Sequence, residues 1–419
     1  MEYRTFKRLD LPSIDREILA FWKEHKIFEA STSGDRPESY VFYEGPPSAN
    51  GKPGIHHVMS RTVKDLFCRY HTMKGKLVER KGGWDTHGLP IELSVEKELG
   101  ITKEDIGSKL SVEDYNEQCR QTVMRYKDLW DDLTIKMGYW VDLDRPYITF
   151  ENNYIESVWH LLKQLYDKNY LYKGYTIQPY SPAAGTGLST HELNMPGAYK
   201  DVKDTSVVAQ FKVIQDNRSE HLYNGLDSDN LFFLAWTTTP WTLPSNTALA
   251  IGKNITYVRV STFNPYTKLP VNLILAEALL SHWFRPEQEQ PSLEAFQADD
   301  KLIPYHINAR FQGSQLEKVR YEQLLPYARP EGDAFRVLIG DFVSTEEGTG
   351  IVHIAPSFGS DDMKIARKYN VPSLTLVDRQ GKFTHEMGEL AGRYVKNYKD
   401  DPEYKNVDVD IAIKLKKEN

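Results

Sequence analysis

The chain is 419 residues long, which predicts two or three domains at about 150 residues each. Lys and Arg total 52 against 59 Asp and Glu, a net charge of −7, so attraction of the whole surface to nucleic acid is excluded while a local basic groove stays open. With 40% hydrophobic residues the chain is not disordered, and its two cysteines, Cys68 and Cys119, exclude a disulfide framework or a four-cysteine zinc site and point to a reducing, cytoplasmic setting.

Met1 to Pro12 alternates charges and lacks the apolar core of a secretory signal, and no later run approaches the ~18–20 residues of a membrane span. Tyr40 to Tyr43 predicts a short strand, stopped by Gly45-Pro46-Pro47 because proline removes ladder donors. Val58, Val63, Leu66, Phe67 and Tyr70 recur at helical spacing, and Lys76 to Arg80 predicts a second strand closed by Gly82-Gly83. Val112, Tyr115, Cys119, Val123, Tyr126, Trp130 and Leu133 form the stripe of one long amphipathic helix, and Tyr154 to Leu165 another. Such alternation indicates an α/β domain with a parallel sheet. From about residue 188 the runs turn short and β-branched or aromatic: 207–213, 232–236, 257–260, 271–275, 338–343 and 351–354. Only the stretch after Asp361 looks helical, and 284–304 reads as a loop, so the second half is mostly β and partly barrel-like.

Two blocks carry chemistry in the first half. Gly45-Pro46-Pro47-Ser48-Ala49-Asn50-Gly51-Lys52-Pro53-Gly54-Ile55-His56-His57 lies between a predicted strand and a helix N-terminus, where free N–H groups and two imidazoles suit an anion. It fails as a phosphate loop of the Walker type, since the glycine spacing is one residue too long and Pro53 replaces Ser or Thr. On pattern alone it is equally a Pro/Gly connection. Gly83-Trp84-Asp85-Thr86-His87-Gly88-Leu89-Pro90-Ile91-Glu92 puts a carboxylate after a strand, where it can hold a substrate ammonium or merely cap a turn. Zinc on Cys68, His71, His56 and His57 fits poorly, because the earlier histidines lie outside helical reach; no metal site is expected.

Together these blocks resemble the class I aminoacyl-tRNA synthetases, in their isoleucine-specific branch. The valine branch would show Asn after the paired prolines, and the leucine branch Ala-Phe where Thr86-His87 stand. The resemblance runs on through Tyr180-Ser181-Pro182, Gly185 to Ser189, Trp236 to Asn246 and Gly348 to Pro356. One block departs: Gly54-Ile55-His56-His57 stands where the family has His-x-Gly-His, so glycine and the first histidine have exchanged places. His56 in the usual glycine slot should crowd the base unless the loop rearranges, and two retained imidazoles favour a rearranged, working site.

The fold that this resemblance implies is α/β: residues 1–187 as an N-terminal helix and the first half of a Rossmann-like nucleotide-binding domain, 188–392 as an inserted β-rich editing domain, and 393–419 as a return segment. The implied activity is ATP-dependent activation of isoleucine, with Mg2+, and transfer to tRNA(Ile) by a monomer. Pro47, Asn50, Gly54, His56 and His57 would bind ATP, the two histidines stabilising phosphate charge; Gly45, Pro46 and Asp85 would hold isoleucine. One methylene is worth only about 1–3 kcal/mol, isoleucine against valine being the established illustration of that limit, so a second site must hydrolyse valyl-tRNA. Thr237, Thr238, Thr239, Thr242, Asn246, His353 and Asp362 would form it. On local pattern alone the threonines are a strand packing surface, His353 a core histidine and Asp362 a first-turn acid. The family's later Lys-Met-Ser-Lys-Ser loop does not occur here, so an amino-terminal portion of a larger enzyme is expected, with weak or absent activation alone. A free-standing deacylase and a non-catalytic tRNA-binding module are the alternatives.

Overall fold

Asp10 accepts a hydrogen bond from the Ser13 N–H and Pro12 occupies the first turn, so a helix starts at once, Leu11–Glu24 (α1). The computed structural model describes residues 5, 8–226, 228–398 and 400–418. The chain divides into two compact units, residues 1–174 and 175–419. In the first unit a helix follows Gly54, Ile55–Met73 (α2). The strand Lys81–Trp84 (β1) pairs in parallel with Asp142–Ile148 (β2), matching Gly83 with Tyr147 and Trp84 with Ile148. Their connection carries the helices Leu89–Leu99 (α3), Val112–Val123 (α4) and Lys127–Lys136 (α5), as a parallel pair requires. Asn152–Asp167 (α6) follows β2. Ala49, Trp84 and Trp130 make a small buried core against Met124, Tyr126 and Ile148.

Three expectations for this unit need correction. Residues 40–43 form no strand; among the described residues this stretch is paired by one parallel bridge, Ser39 to Leu77, and the following Gly-Pro-Pro supplies too few donors for a ladder. The second strand lies at Lys81–Trp84 rather than 76–80, running through the glycines read as its stop. Gly82 and Gly83 are needed there: a Cβ on Gly82 would sit 2.8 Å from the Asp142 carbonyl oxygen, and one on Gly83 2.2 Å from the Tyr147 ring. The long helix over 112–133 is two helices, because the Tyr126 N–H bonds to the Ala49 carbonyl (3.0 Å) instead of continuing the helix.

In the second unit, after a two-residue antiparallel pair (Tyr180–Ser181 with Thr186–Gly187), the longer strands are Val207–Lys212 (β3), Leu231–Thr237 (β4), Ala248–Ile251 (β5), Thr256–Phe263 (β6), Pro270–Ala276 (β7), His306–Gln312 (β8), Arg336–Ile339 (β9) and Ile351–Ile354 (β10). Five form a mixed sheet in the order β8-β6-β7-β4-β3, with only the β7–β4 pair parallel. A second sheet has the order β9-β5-β10. Among the described residues the sheets do not close: β3 and β8 remain edges, so the barrel expectation gives way to two open sheets. Phe211, Phe233, Leu249, Ile251 and Ile274 fill the space between them. Besides four single-turn helices, two longer ones belong to the described part of the unit, Ser360–Tyr369 (α7) and Val407–Glu418 (α8). Val407, Ile411 and Leu415, one face of α8, are buried in that same core.

Candidate functional site

The Gly45–His57 loop of the first unit is fastened by three of its carbonyls. The Pro47 carbonyl accepts the Asp85 N–H (3.0 Å), joining the two motif blocks directly. Ala49 is buried and its carbonyl takes the Tyr126 N–H, while the Trp130 indole N–H donates to the Gly51 carbonyl at 2.8 Å. Before the loop, buried Glu44 pairs with Lys64 (2.6 Å) and accepts from the Tyr139 hydroxyl; its carbonyl accepts from the Tyr147 hydroxyl (2.8 Å). Burial and the hydrogen bond to Glu44 push the Tyr139 phenol well above its usual range. Gly45, Pro46 and Asn50 are thereby placed, and Asp85 sits half-buried after β1, its carboxylate facing the His87 N–H at 3.5 Å.

The exchanged block has a geometric explanation. His56 is exposed and its ring leans on Gly54, where a Cβ would lie 2.9 Å from the imidazole. His57 Nδ1 accepts the Gly54 N–H at 2.9 Å, and its ring stands edge-on to Trp130 with centroids 4.6 Å apart. Burial, then His56 and Arg61, lower the His57 pKa. Arg61 lies over the Trp130 ring at 5.0 Å and donates to Thr134, so Trp130 is the hub of the site. The sequence reading missed Glu44, Trp130, Tyr139 and Tyr147; Trp130 stood only as one member of a helical stripe.

In the second unit a cavity of about 340 Å³ is lined by Thr237, Thr238, Thr239, Thr242, His353 and Asp362, with Trp236 and Phe358 as aromatic walls. The Thr242 hydroxyl donates to the Thr239 carbonyl (2.8 Å), which leaves its oxygen to accept from His353 Nε2 at 3.2 Å. Burial lowers the His353 pKa to about 4, so the ring is neutral near pH 7. Asp362, in the first turn of α7, accepts the Ala355 N–H at 2.8 Å, and burial raises its pKa. A Cβ on Gly359 would lie 2.2 Å from the Asp362 carboxylate, so only glycine lets that carboxylate fold back. Asn246 stands apart from the others: its amide donates to the Ala248 carbonyl (2.8 Å) and accepts from the buried Tyr321 hydroxyl (2.7 Å), which makes it a structural tie behind the cavity. Tyr321, which holds Asn246, was missed from the residues alone, because it lies 75 positions away in a stretch with no motif. Among the described residues no group of three or more His, Cys, Asp or Glu is arranged to hold a metal ion. Nor is any helix long and apolar enough to cross a membrane.

Residues 17–355 match the family described as tRNA synthetases class I (I, L, M and V). The chain is 58% identical to the isoleucine–tRNA ligase of Cytophaga hutchinsonii, an alignment covering all of this chain and 39% of that protein. It is 56% identical to that of Porphyromonas gingivalis, covering 98% of this chain and 36% of the relative. Of solved structures, the P. knowlesi cytosolic leucyl-tRNA synthetase editing domain aligns with 39% of this chain and 64% of that one, at 15% identity and a TM-score of 0.28.

Proposed function

This chain belongs to the class I tRNA synthetases of the I, L, M and V group, and from that premise we propose that it is an amino-terminal portion of an isoleucine–tRNA ligase that also hydrolyses wrongly acylated tRNA. In this reading residues 1–187 supply the first half of a Rossmann-like nucleotide-binding domain, 188–392 the editing domain and 393–419 the return segment. The setting is the cytoplasm and the protein is a monomer.

In the first unit Gly45 and Pro46 line the aliphatic pocket for isoleucine and Asp85 takes its ammonium. Pro47, Asn50, Gly54, His56 and His57 receive ATP, whose Mg2+ would arrive on the triphosphate and keep several waters. The isoleucine carboxylate attacks the α-phosphorus, and the bond to the bridging oxygen breaks with release of pyrophosphate. A ribose hydroxyl of tRNA(Ile) then attacks the acyl carbon and AMP leaves. The protein's part is placement and charge stabilisation: neutral His57 offers its Nε2–H to phosphate oxygen while the fastened loop keeps it there.

In the second unit Asp362 holds the ammonium of a misattached valine, and the threonine hydroxyls hydrogen-bond the ester carbonyl and ribose. Water adds to that carbonyl, and the ribose oxygen leaves with a proton. The observation that carries this reading is one cavity of about 340 Å³ that gathers hydroxyls, a neutral imidazole and a carboxylate from three separate stretches of chain. The test is ester loss from valyl- and isoleucyl-tRNA, both on tRNA(Ile), mixed with this chain. Faster valyl loss, abolished by Asp362→Ala with the fold intact, is expected. Equal loss of both esters, loss of neither, or hydrolysis unaltered by Asp362→Ala would refute it.

A further inference from the structure

We propose that Asp408, at the start of α8, is a positioning residue for the cavity in the second unit, holding the Pro240–Ser245 turn that brings Thr242 to it and seats Trp241 against the lining residue Phe358. The inference rests on the hydrolytic reading above. Asp408 has no exposed surface and lines no part of the cavity. One carboxylate oxygen accepts the Trp241 N–H at 2.8 Å and the other accepts from Lys396 Nζ at 2.7 Å. Lys396 is shared with Asp204.

The Trp241 N–H belongs to the opening of a 3-10 turn, where the backbone donors have no partner within the turn itself. A charged acceptor there is about twice as strong as a neutral one, and it points at one atom. From that bond two walls of the cavity follow. The Trp241 indole packs edge-to-face on Phe358, centroids 4.9 Å apart. The next residue, Thr242, carries the hydroxyl that meets His353. Asp408 therefore reaches the cavity only through other residues, and from a segment that the sequence reading set outside the editing domain. A buried ion pair is weak evidence of stabilisation, since its desolvation offsets its Coulomb gain; the directed bond to Trp241 is what this geometry explains.

Asp408→Asn separates the two bonds: its amide oxygen still accepts from Trp241, but the charge that pairs Lys396 is gone. Asp408→Ala loses both. On the full chain, valyl-ester hydrolysis by Asp408→Ala is expected to lose roughly tenfold in kcat with KM within about twofold, while Asp408→Asn stays within about threefold. The His353 Nε2–H resonance, observed by NMR, is expected to move in Asp408→Ala and to keep its place in Asp408→Asn. Equal losses in the two variants would make Asp408 an ion-pair partner only and overturn the proposal, as would an unchanged kcat and resonance in Asp408→Ala. If the unaltered chain hydrolyses neither ester, the hydrolytic reading fails by itself, and the His353 signal still decides whether Asp408 places Thr242. Should Asp408→Ala not fold, Asp408→Asn carries the test: a retained signal supports the assignment and a displaced one ends it.

Discussion

Gly83 offers the sharpest test of how the first unit is built. An alanine there would put its Cβ 2.2, 2.4 and 2.7 Å from three atoms of the Tyr147 ring, inside any tolerable contact. The ring must leave, and with it go the hydrogen bond from its hydroxyl to the Glu44 carbonyl (2.8 Å) and its stacking on Tyr154 at 5.7 Å. Overpacking of this kind costs about 1–3 kcal/mol and the lost hydrogen bond about 0.5–1.5, so Gly83→Ala should cost roughly 2–4 kcal/mol. Hydrogen–deuterium exchange read by mass spectrometry isolates the amides of β1 and β2, which should exchange roughly 30- to 700-fold faster. Isoleucine binding should weaken too, since Asp85 lies two residues on and its N–H is tied to Pro47. The control is the double variant with Tyr147→Ala, in which the added methyl meets empty space and most of its cost disappears. Unchanged exchange in Gly83→Ala, or no relief from Tyr147→Ala, would refute the account of this contact.

The other expectations are narrower. His353 titrates near 4 when folded against 6.5 ordinarily, so between those values the unfolded chain binds more protons; stability should rise with pH across that window by roughly 3 kcal/mol and be lost on acidification. Urea unfolding from pH 4 to 7 measures this, and in His353→Gln that segment of the profile should flatten. Tyr321→Phe removes a hydroxyl from a fully buried site and leaves the Asn246 oxygen unpaired, which should cost about 1–3 kcal/mol in chemical denaturation; a cost below a few tenths would contradict the tie assigned to Asn246. Trp130→Phe keeps an aromatic ring, though a smaller one, and deletes the hydrogen bond to Gly51, so ATP titration should show a loss of about two- to tenfold. Unaltered affinity would mean that the loop does not need that bond.

What the residues announced and what they hid divide along physical lines. Local pattern located α2, α6 and the strand at Ile351–Ile354, because a buried face imposes its period on adjacent residues. The same rule failed at Met124–Tyr126: the 3-and-4 spacing survives the break, but the bond that makes the break runs to Ala49, far back in the chain. Gly82 and Gly83 read as punctuation when they are clearance for β2, a fact that depends on Tyr147 and Asp142. Most residues proposed for the second cavity do line it, since they travel in recognisable blocks; Asn246 travels in the same block and turns away, and the side chain that captures it, Tyr321, lies in none. Glu44, Tyr139 and Trp130 act through partners up to about a hundred positions distant, and no window along the chain contains both ends of such a bond.

The hydrogen bond from the Gly54 N–H to His57 Nδ1 sets a proton inventory. Because Nδ1 is engaged as the acceptor of a backbone N–H, a neutral His57 must carry its single proton on Nε2, and that nitrogen is left free to donate. Protonating the ring would place a second hydrogen on Nδ1, donor against donor, and the first turn of α2 would have to release Gly54. Charge on this imidazole and closure of the loop before it are mutually exclusive; the ring serves the loop as a dipole, and acid would open the loop from its helical end.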